Sequence, residues 1–329
     1  MKVSVIVPCF NEAENITACL KSLERQNYPA QLFEIVVADG GSTDQSRELI
    51  EQARTKNSQI RMMDSTVRWT ASVRNTALKA ARYDIVAMLD ADCEAPRNWL
   101  ATLAHQFKKA KNDDDRVIGV GGANRAPENS SNFVKAIETA SDSYVGSFSS
   151  VQGRRFKQRV YVSSLATLNA LYEKGPLETV GFFDESLRHE AEDADLNHRL
   201  VAKGHKMCYV PESYVWHKMR ATPIGWFKNM FRYGKGRARL LKRYPGMWSP
   251  AYLLPLLFLA AMAAMAAGPI WSGFYLGLCY FPVLFLYAMW QCIHKKSLFL
   301  TGHVFGVYLL SHFGYSFGEL YGLINPRVK

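Results

Sequence analysis

Charge is almost absent from the last quarter of this 329-residue chain: between Ala251 and Ile324 only Lys295, Lys296 and Glu319 are charged. That composition belongs to membrane spans rather than to a core helix. Cysteine is sparse, and Cys9, Cys19, Cys93, Cys208, Cys279 and Cys292 form no C-x-x-C pair. Reduced structural thiols in a cytosolic compartment are expected. There is no G-x-x-x-x-G-K-[ST] stretch, and Asp39-Gly40-Gly41-Ser42 is not G-x-G-x-x-G, so two common nucleotide-binding loops are excluded. No RNP, zinc-finger or helix-turn-helix signature accompanies the net charge of +11, and no nucleic-acid partner is expected. Many of the basic residues fall between Lys218 and Arg243, just before the apolar region, where they suit an anionic membrane surface or lipid phosphates. The stretch Met1 to Pro8 is too soon broken by proline to serve as a signal peptide, which predicts a cytoplasmic amino-terminal domain.

What is present begins with an apolar run, Asp84 to Leu89, that ends in Asp90-Ala91-Asp92. In a strand, residues two apart face the same side, so the two carboxylates are expected to converge beyond the strand's carboxyl end. Like charges so placed are costly unless a cation lies between them, and a hard divalent ion such as Mg²⁺ or Mn²⁺ is the natural occupant. Two solvated loop aspartates are the plainer alternative.

Around this stretch, strands and helices alternate. Val3 to Val7, Phe33 to Ala38, Ile60 to Met63 and Val117 to Val120 read as strands. Asn11 with Glu14, and Ser42 with Gln45, read as capping boxes that open helices. Ala71 to Arg82 and the segment with Trp99, Leu103 and Phe107 read as further helices. The alternation predicts an α/β fold with a doubly wound, mostly parallel, Rossmann-like sheet. Ligands on such sheets bind at the carboxyl ends of the strands, where Asn11, Asp39, Asp90 and Asp92 fall. Asp39 suits either a ribose or base contact or a turn.

Residues 126 to 160 are polar and mixed, ending in the basic run Arg154 to Arg159, which reads as a phosphate-facing segment or a solvated loop. Further on, His189-Glu190-Ala191-Glu192-Asp193-Ala194-Asp195-Leu196 predicts a helix with acidic residues in its first turn. Those carboxylates either complement the helix dipole or supply a general base.

Taken together, VSVIVPCFNEAENI, EIVVADGGSTD, SVRNTAL, DIVAMLDADCEAP, LNALYEKGPLETVGFFDES and AEDADLNHRL resemble, in order, the family-2 glycosyltransferases of the GT-A fold. The resemblance covers most of residues 3 to 200. It implies a nucleotide-diphosphate sugar donor and a Mn²⁺ or Mg²⁺ cofactor. Asp39 matches the family's nucleoside-contacting aspartate, Asp90 and Asp92 the metal-binding pair, and Asp193 the catalytic base. Pro8, Asn11 and Glu12 match the first nucleotide loop, with Arg74 supporting the same site; Ala91, between the paired aspartates, joins the donor-binding set. His217 lies where many GT-A enzymes carry a third metal ligand. Asn229-Met230-Phe231-Arg232-Tyr233 resembles a degenerate Q-x-x-R-W motif of processive synthases, in which the retained Arg232 suits diphosphate contact. The altered motif favours single-sugar addition.

A single displacement with Asp193 as base inverts the anomeric centre, whereas a double displacement needs a second carboxylate, for which Glu192 is the candidate. Three domains are expected: a catalytic domain over 1–222, a basic amphipathic interfacial segment over 223–250, and a membrane region over 251–329 with spans at 251–268, 270–292 and 298–324. A multi-pass protein of the cell membrane, with its catalytic domain in the cytoplasm and a lipid-linked acceptor, follows from that layout. Other readings are a polyprenyl-phosphate sugar synthase, a sugar nucleotidyltransferase and a non-catalytic membrane scaffold.

Overall fold

A computed structural model describes residues 1–148, 150–151, 153–248, 250–266 and 272–325. In chain order the elements are β1 (Val3–Cys9), α1 (Ile16–Glu24), β2 (Phe33–Asp39), α2 (Ser46–Lys56), β3 (Ile60–Asp64), α3 (Thr70–Ala80), β4 (Ile85–Met88), β5 (Cys93–Glu94), α4 (Trp99–Asp113) and β6 (Val117–Arg125). They continue with α5 (Asn132–Ser141), α6 (Tyr144–Ser147), β7 (Val160–Val162), β8 (Ala170–Glu173), α7 (Lys174–Thr179), α8 (Glu192–Ala202), β9 (Lys206–His217), α9 (Pro223–Arg243), α10 (Leu254–Ala266), α11 (Ser272–His294) and α12 (Thr301–Ile324). The chain divides into two compact units, residues 1–127 with 150–218, and residues 128–149 with 219–329.

The first unit is one sheet in the order β3-β2-β1-β4-β8-β6-β9-β5, with β7 pairing β9. The apolar strands β1 and β2 are buried along nearly their whole length, because helices cover both faces. Val3, Val5 and Val7 pack on one face with Ile16 and Leu20 of α1 and Trp99 and Leu103 of α4, while Ile6 packs on the other with Val73 and Leu78 of α3 and Leu196 and Leu200 of α8. Each such fully buried aliphatic side chain contributes about 1.5–3 kcal/mol of transfer free energy.

The expected mostly parallel sheet is corrected to a mixed one. Strands β1 to β4 are mutually parallel, but β8 runs antiparallel between β4 and β6, and β5 and β7 run antiparallel to β9. The apolar run that supplies β8 carries no sign of its direction, which is set by the turn it enters from. Two capping boxes are also corrected. Asn11 adopts a left-handed backbone (φ 55°) and accepts a hydrogen bond from the Thr43 N–H at 2.8 Å, so it joins two loops instead of starting a helix. Ser42 donates to Asp39, and α2 starts at Ser46, whose N–H and hydroxyl both donate to Asp44.

The second unit is helical. Thr222 accepts from the Gly225 N–H at the start of α9, and Pro223 occupies the first turn. The apolar face of α9 is covered by α12 and is not left for a membrane: Trp226 and Met230 are buried, and Trp226 Nε1 donates to Ser311 Oγ at 2.9 Å. Glycines permit that approach, since a Cβ on Gly318 would stand 2.0 Å from the Phe231 carbonyl oxygen and one on Gly234 1.9 Å from that of Tyr315.

Among the described residues no helix is long and apolar enough to cross a membrane. In the expected span 251–268, α10 is described over 13 residues, and 267–271, which follow, lie outside the described residues. Within 298–324, α12 has length enough but carries His303, Ser311, His312, Ser316 and Glu319. The span 270–292 corresponds to α11, which ends with Gln291 and His294. The turn expected at Gly268-Pro269 lies outside the described residues.

Candidate active site

The paired aspartates lie on the turn that leaves β4, not on the strand itself, and the Cys93 N–H donates to the Asp90 carbonyl at 3.0 Å. Strand alternation therefore does not aim them; the turn sends them to different partners. Asp90 Oδ1 accepts from Arg74 Nη2 at 2.7 Å. Asp92 Oδ2 lies 3.4 Å from His217 Nε2, because the two-residue strand β5 pairs Cys93 with His217 at the end of β9. Ala91 between them is buried.

Arg74 is the buried hub. It lies on α3, its Nη1 donates to Glu192 Oε1 at 2.9 Å, and its guanidinium stands 5.5 Å from the Phe183 ring centre. Burial alone would lower its proton affinity, but the carboxylates of Asp90 and Glu192 outweigh that, and the guanidinium is held charged. The motif around it locks the same corner: Asn75 exchanges hydrogen bonds with the Phe183 backbone, and Ser72 and Asn75 both donate to Glu185.

Helix α8 begins at Glu192, after Ala191 in a left-handed conformation. Asn197 donates to the Asp193 carbonyl and accepts from the Tyr172 hydroxyl, which fixes the first turn against β8. Burial pushes the Glu192 carboxyl up to about 7, with Arg74 opposing and Asp193 adding to the rise. Burial likewise raises Asp193, against the pull of Arg74. Two neighbouring carboxyls with raised proton affinity, one tied to an arginine, are the composition of a general-base site.

Asp39 is fully buried, and its carboxylate accepts from the Gly41 and Ser42 N–H groups, the Ser42 hydroxyl and Arg47. It is thus the organiser of its own turn. Glu12 accepts from Asn15, and its N–H donates to Ser46, while Pro8 sits in register with Ala38 beside that turn. Arg232 lies in the second unit, where it donates to Asn229 at 2.6 Å.

Whether these residues suit a divalent ion is answered by the donor set. One ligand atom each of Asp92, Cys93 and His217 lies within 4.8 Å of the others. Burial, with Asp92 next, keeps the Cys93 thiol protonated, so the donors left are the Asp92 carboxylate and the His217 imidazole. Asn124 Nδ2 approaches His217 Nδ1 at 3.2 Å, and the buried Asn124 Oδ1 has no hydrogen-bond partner. Turning that amide by half a rotation would offer Oδ1 to an Nδ1–H, the tautomer that leaves the Nε2 lone pair for a metal. Two protein ligands, completed by phosphate and water, fit Mn²⁺ or Mg²⁺.

Sequence reasoning missed Asn124, because the strand β6 was expected to stop at Val120 and in fact continues to Arg125. It also gave no part to Asn75 and Glu185, although both lie inside the motifs that carried the resemblance.

The sheet, the acid helix and the strand-end carboxylates define a glycosyltransferase of GT-A-like fold. Solved structures share that fold. A mannosyltransferase from Pyrobaculum calidifontis, in complex with GDP-Man and Mn²⁺, aligns over 94% of this chain and 86% of its own, with a TM-score of 0.63 at 20% identity. S. aureus TarS 1-349 in complex with UDP aligns over 98% and 91%, with a TM-score of 0.53 at 18% identity. The profile of Glycosyl transferase family 2 matches residues 4–177, and the chain belongs to that family. Among curated relatives, the succinoglycan biosynthesis protein ExoA of Rhizobium meliloti (strain 1021) is 27% identical over 308 residues, covering 89% of this chain and 86% of its own. A dolichyl N-acetyl-glucosaminyl phosphate diacetamido-dideoxy-glucuronosyltransferase of Methanococcus voltae is 24% identical over 261 residues, covering 78% of each chain.

Proposed function

We propose that this glycosyltransferase moves one sugar from a nucleotide-diphosphate sugar to a hydroxyl of a membrane-embedded, lipid-linked saccharide, with inversion at the anomeric carbon. The observation that carries the reading is Arg74, which ties the strand-end Asp90 to Glu192 beside Asp193. Asp193 receives the acceptor's proton as its oxygen bonds to the anomeric carbon; the bond to the phosphate oxygen breaks, and the nucleoside diphosphate leaves with the electron pair. Glu192 is engaged by Arg74, which favours a single displacement over one in which Glu192 is the nucleophile. Asp92 and His217 would hold Mn²⁺ or Mg²⁺, with Asp90 held beside them by Arg74. When bound, the ion neutralises charge developing on the leaving diphosphate. Pro8, Asn11, Glu12 and the Asp39 turn border the nucleoside.

Support for a nucleotide-sugar donor comes from the GDP-Man and UDP complexes of the two similar structures. We favour uridine. Support for a membrane acceptor comes from the second unit, where Leu254, Leu257, Val283, Leu286, Trp290 and Phe299 present large apolar surfaces to solvent. Such a patch marks a membrane or partner surface. Contact of these apolar helices with a bilayer is part of the reading. A cell-membrane location with the catalytic unit on the cytoplasmic side completes the reading.

The test is transfer itself. The detergent-purified protein is incubated with labelled UDP- and GDP-sugars and a bacterial lipid extract. Label from one donor should enter the lipid fraction in the inverted anomeric form. Efficient transfer to plain polyprenyl phosphate, retention of configuration, or release of pyrophosphate would each contradict the reading.

A further inference from the structure

Three residues ahead of the acid helix and one loop after β3, the first unit assembles a cluster that the reaction scheme leaves unused. The Arg68 guanidinium lies 4.8 Å, and that of Arg188 4.7 Å, from the centre of the Trp69 ring. The His189 ring lies 5.5 Å from the same indole, tilted by 32°. Both arginines are exposed, while Trp69 and His189 are half-buried. Among the described residues neither guanidinium has a carboxylate within ion-pair distance. Two like charges over one ring repel each other, and an anion between them would relieve the repulsion.

The backbone is committed to this placement. Arg188 adopts φ 62° and ψ −93°, Ala191 adopts φ 62°, and the Ala71 N–H donates to the Arg188 carbonyl at 2.9 Å. Non-glycine residues in such conformations persist where the surroundings enforce them, and they cluster at ligand sites. On the other side, Arg68 packs against the Asp39 turn so tightly that a Cβ on Gly40 would stand 2.9 Å from the Arg68 Cα.

We propose that Arg68, Trp69 and Arg188 form an acceptor subsite that grips a sugar phosphate: the guanidiniums, carried on the indole, hold the phosphate. The assignment rests on the reading of Asp193 as the acceptor's base, because Arg188 and His189 immediately precede that helix. The donor's diphosphate has Asp92 and His217 with their ion; the arginine pair is a second, metal-free anion site. A planar guanidinium fork suits phosphate, and two of them gather on one indole. The acceptor class that follows is a saccharide joined to its lipid through phosphate, attacked at a sugar hydroxyl.

The same phosphate chemistry is found in the donor, so the test separates the two sources. Calorimetric titration of the full-length protein uses α-glucose 1-phosphate, methyl α-glucoside and inorganic phosphate, with and without saturating UDP and Mn²⁺. The proposal expects glucose 1-phosphate to bind at least about tenfold more tightly than the glucoside, and to do so with UDP in place. Arg68→Gln and Arg188→Gln should each weaken glucose 1-phosphate about tenfold, Arg188→Lys less, and UDP affinity should hold within about twofold in Arg188→Gln. Trp69→Leu, which removes the ring that carries both guanidiniums, should weaken glucose 1-phosphate as well. Equal binding of the neutral glucoside, indifference to both arginine variants, displacement by UDP, or a parallel loss of UDP affinity in Arg188→Gln would overturn it. Failure of UDP and GDP to bind at all would count against the donor reading, while the titrations without nucleotide still decide the subsite.

Discussion

Arg74 reaches Glu192 across 118 residues of chain, with 2.9 Å between Nη1 and Oε1. The same guanidinium holds Asp90, so the turn after β4 and the start of α8 depend on one buried cation. Removing it strands two carboxylates. Arg74→Ala is expected to cost about 3–5 kcal/mol, the range for breaking a buried ion pair by deleting one partner. Arg74→Lys should cost less but still abolish one of the two links. Chemical denaturation of both variants beside the wild type checks this.

Asp193→Asn should lower transfer by at least about 10²–10⁴-fold, the usual worth of a positioned base, while leaving nucleotide affinity nearly intact. Glu192→Gln keeps a hydrogen-bond partner for Arg74 and should retain far more activity. Steady-state rates and nucleotide titrations on the two variants decide between the residues; unchanged turnover in Asp193→Asn would remove it from the role.

Stability should fall as pH rises toward neutrality. Burial lifts Glu192 from its ordinary 4.5 to about 7, so between those values the folded state binds more protons than the unfolded one. The stabilising contribution is complete below about pH 4.5 and is lost by about pH 7. Denaturation midpoints measured across this window should decline in the wild type and decline less in Glu192→Gln.

Asn124 orients His217 and should matter to metal affinity without touching the ion. Asn124→Ala is expected to weaken Mn²⁺ binding about 10–100-fold, the usual effect of removing a partner of a ligating histidine. His217→Ala should weaken it further. Mn²⁺ titration followed by electron paramagnetic resonance reads both.

The glycines of α12 divide into two kinds. Gly318→Ala drives a methyl into the Phe231 carbonyl and should destabilise by about 1–3 kcal/mol. Gly302 has nothing within 4 Å of the added Cβ, and Gly302→Ala should stabilise by about 0.5–1 kcal/mol. Thermal unfolding of the pair tests the packing of α9 on α12.

The first strands and their helices were legible because β-branched runs and apolar spacing are local properties. Direction and partnership were not. Nothing in Ala170-Leu171-Tyr172 states that β8 runs against β4, and nothing near Asn11 states that its partner is Thr43, 32 residues on. The acidic clusters were legible as residue types, but their division of labour was set by turns: Asp90 goes to Arg74, and Asp92 goes to His217. The segment 223–250 was read as an interfacial helix because composition does not reveal that the apolar face of α9 is covered by α12.

Metal-dependent nucleotide binding tests the central claim most directly. UDP and GDP are titrated into the detergent-purified protein with Mn²⁺ or with EDTA, beside an Asp90→Asn, Asp92→Asn double variant. The account predicts that one nucleotide binds only with metal and that the variant loses this binding. Equal binding with EDTA, equal binding by the variant, or no binding of either nucleotide by a folded protein would contradict it.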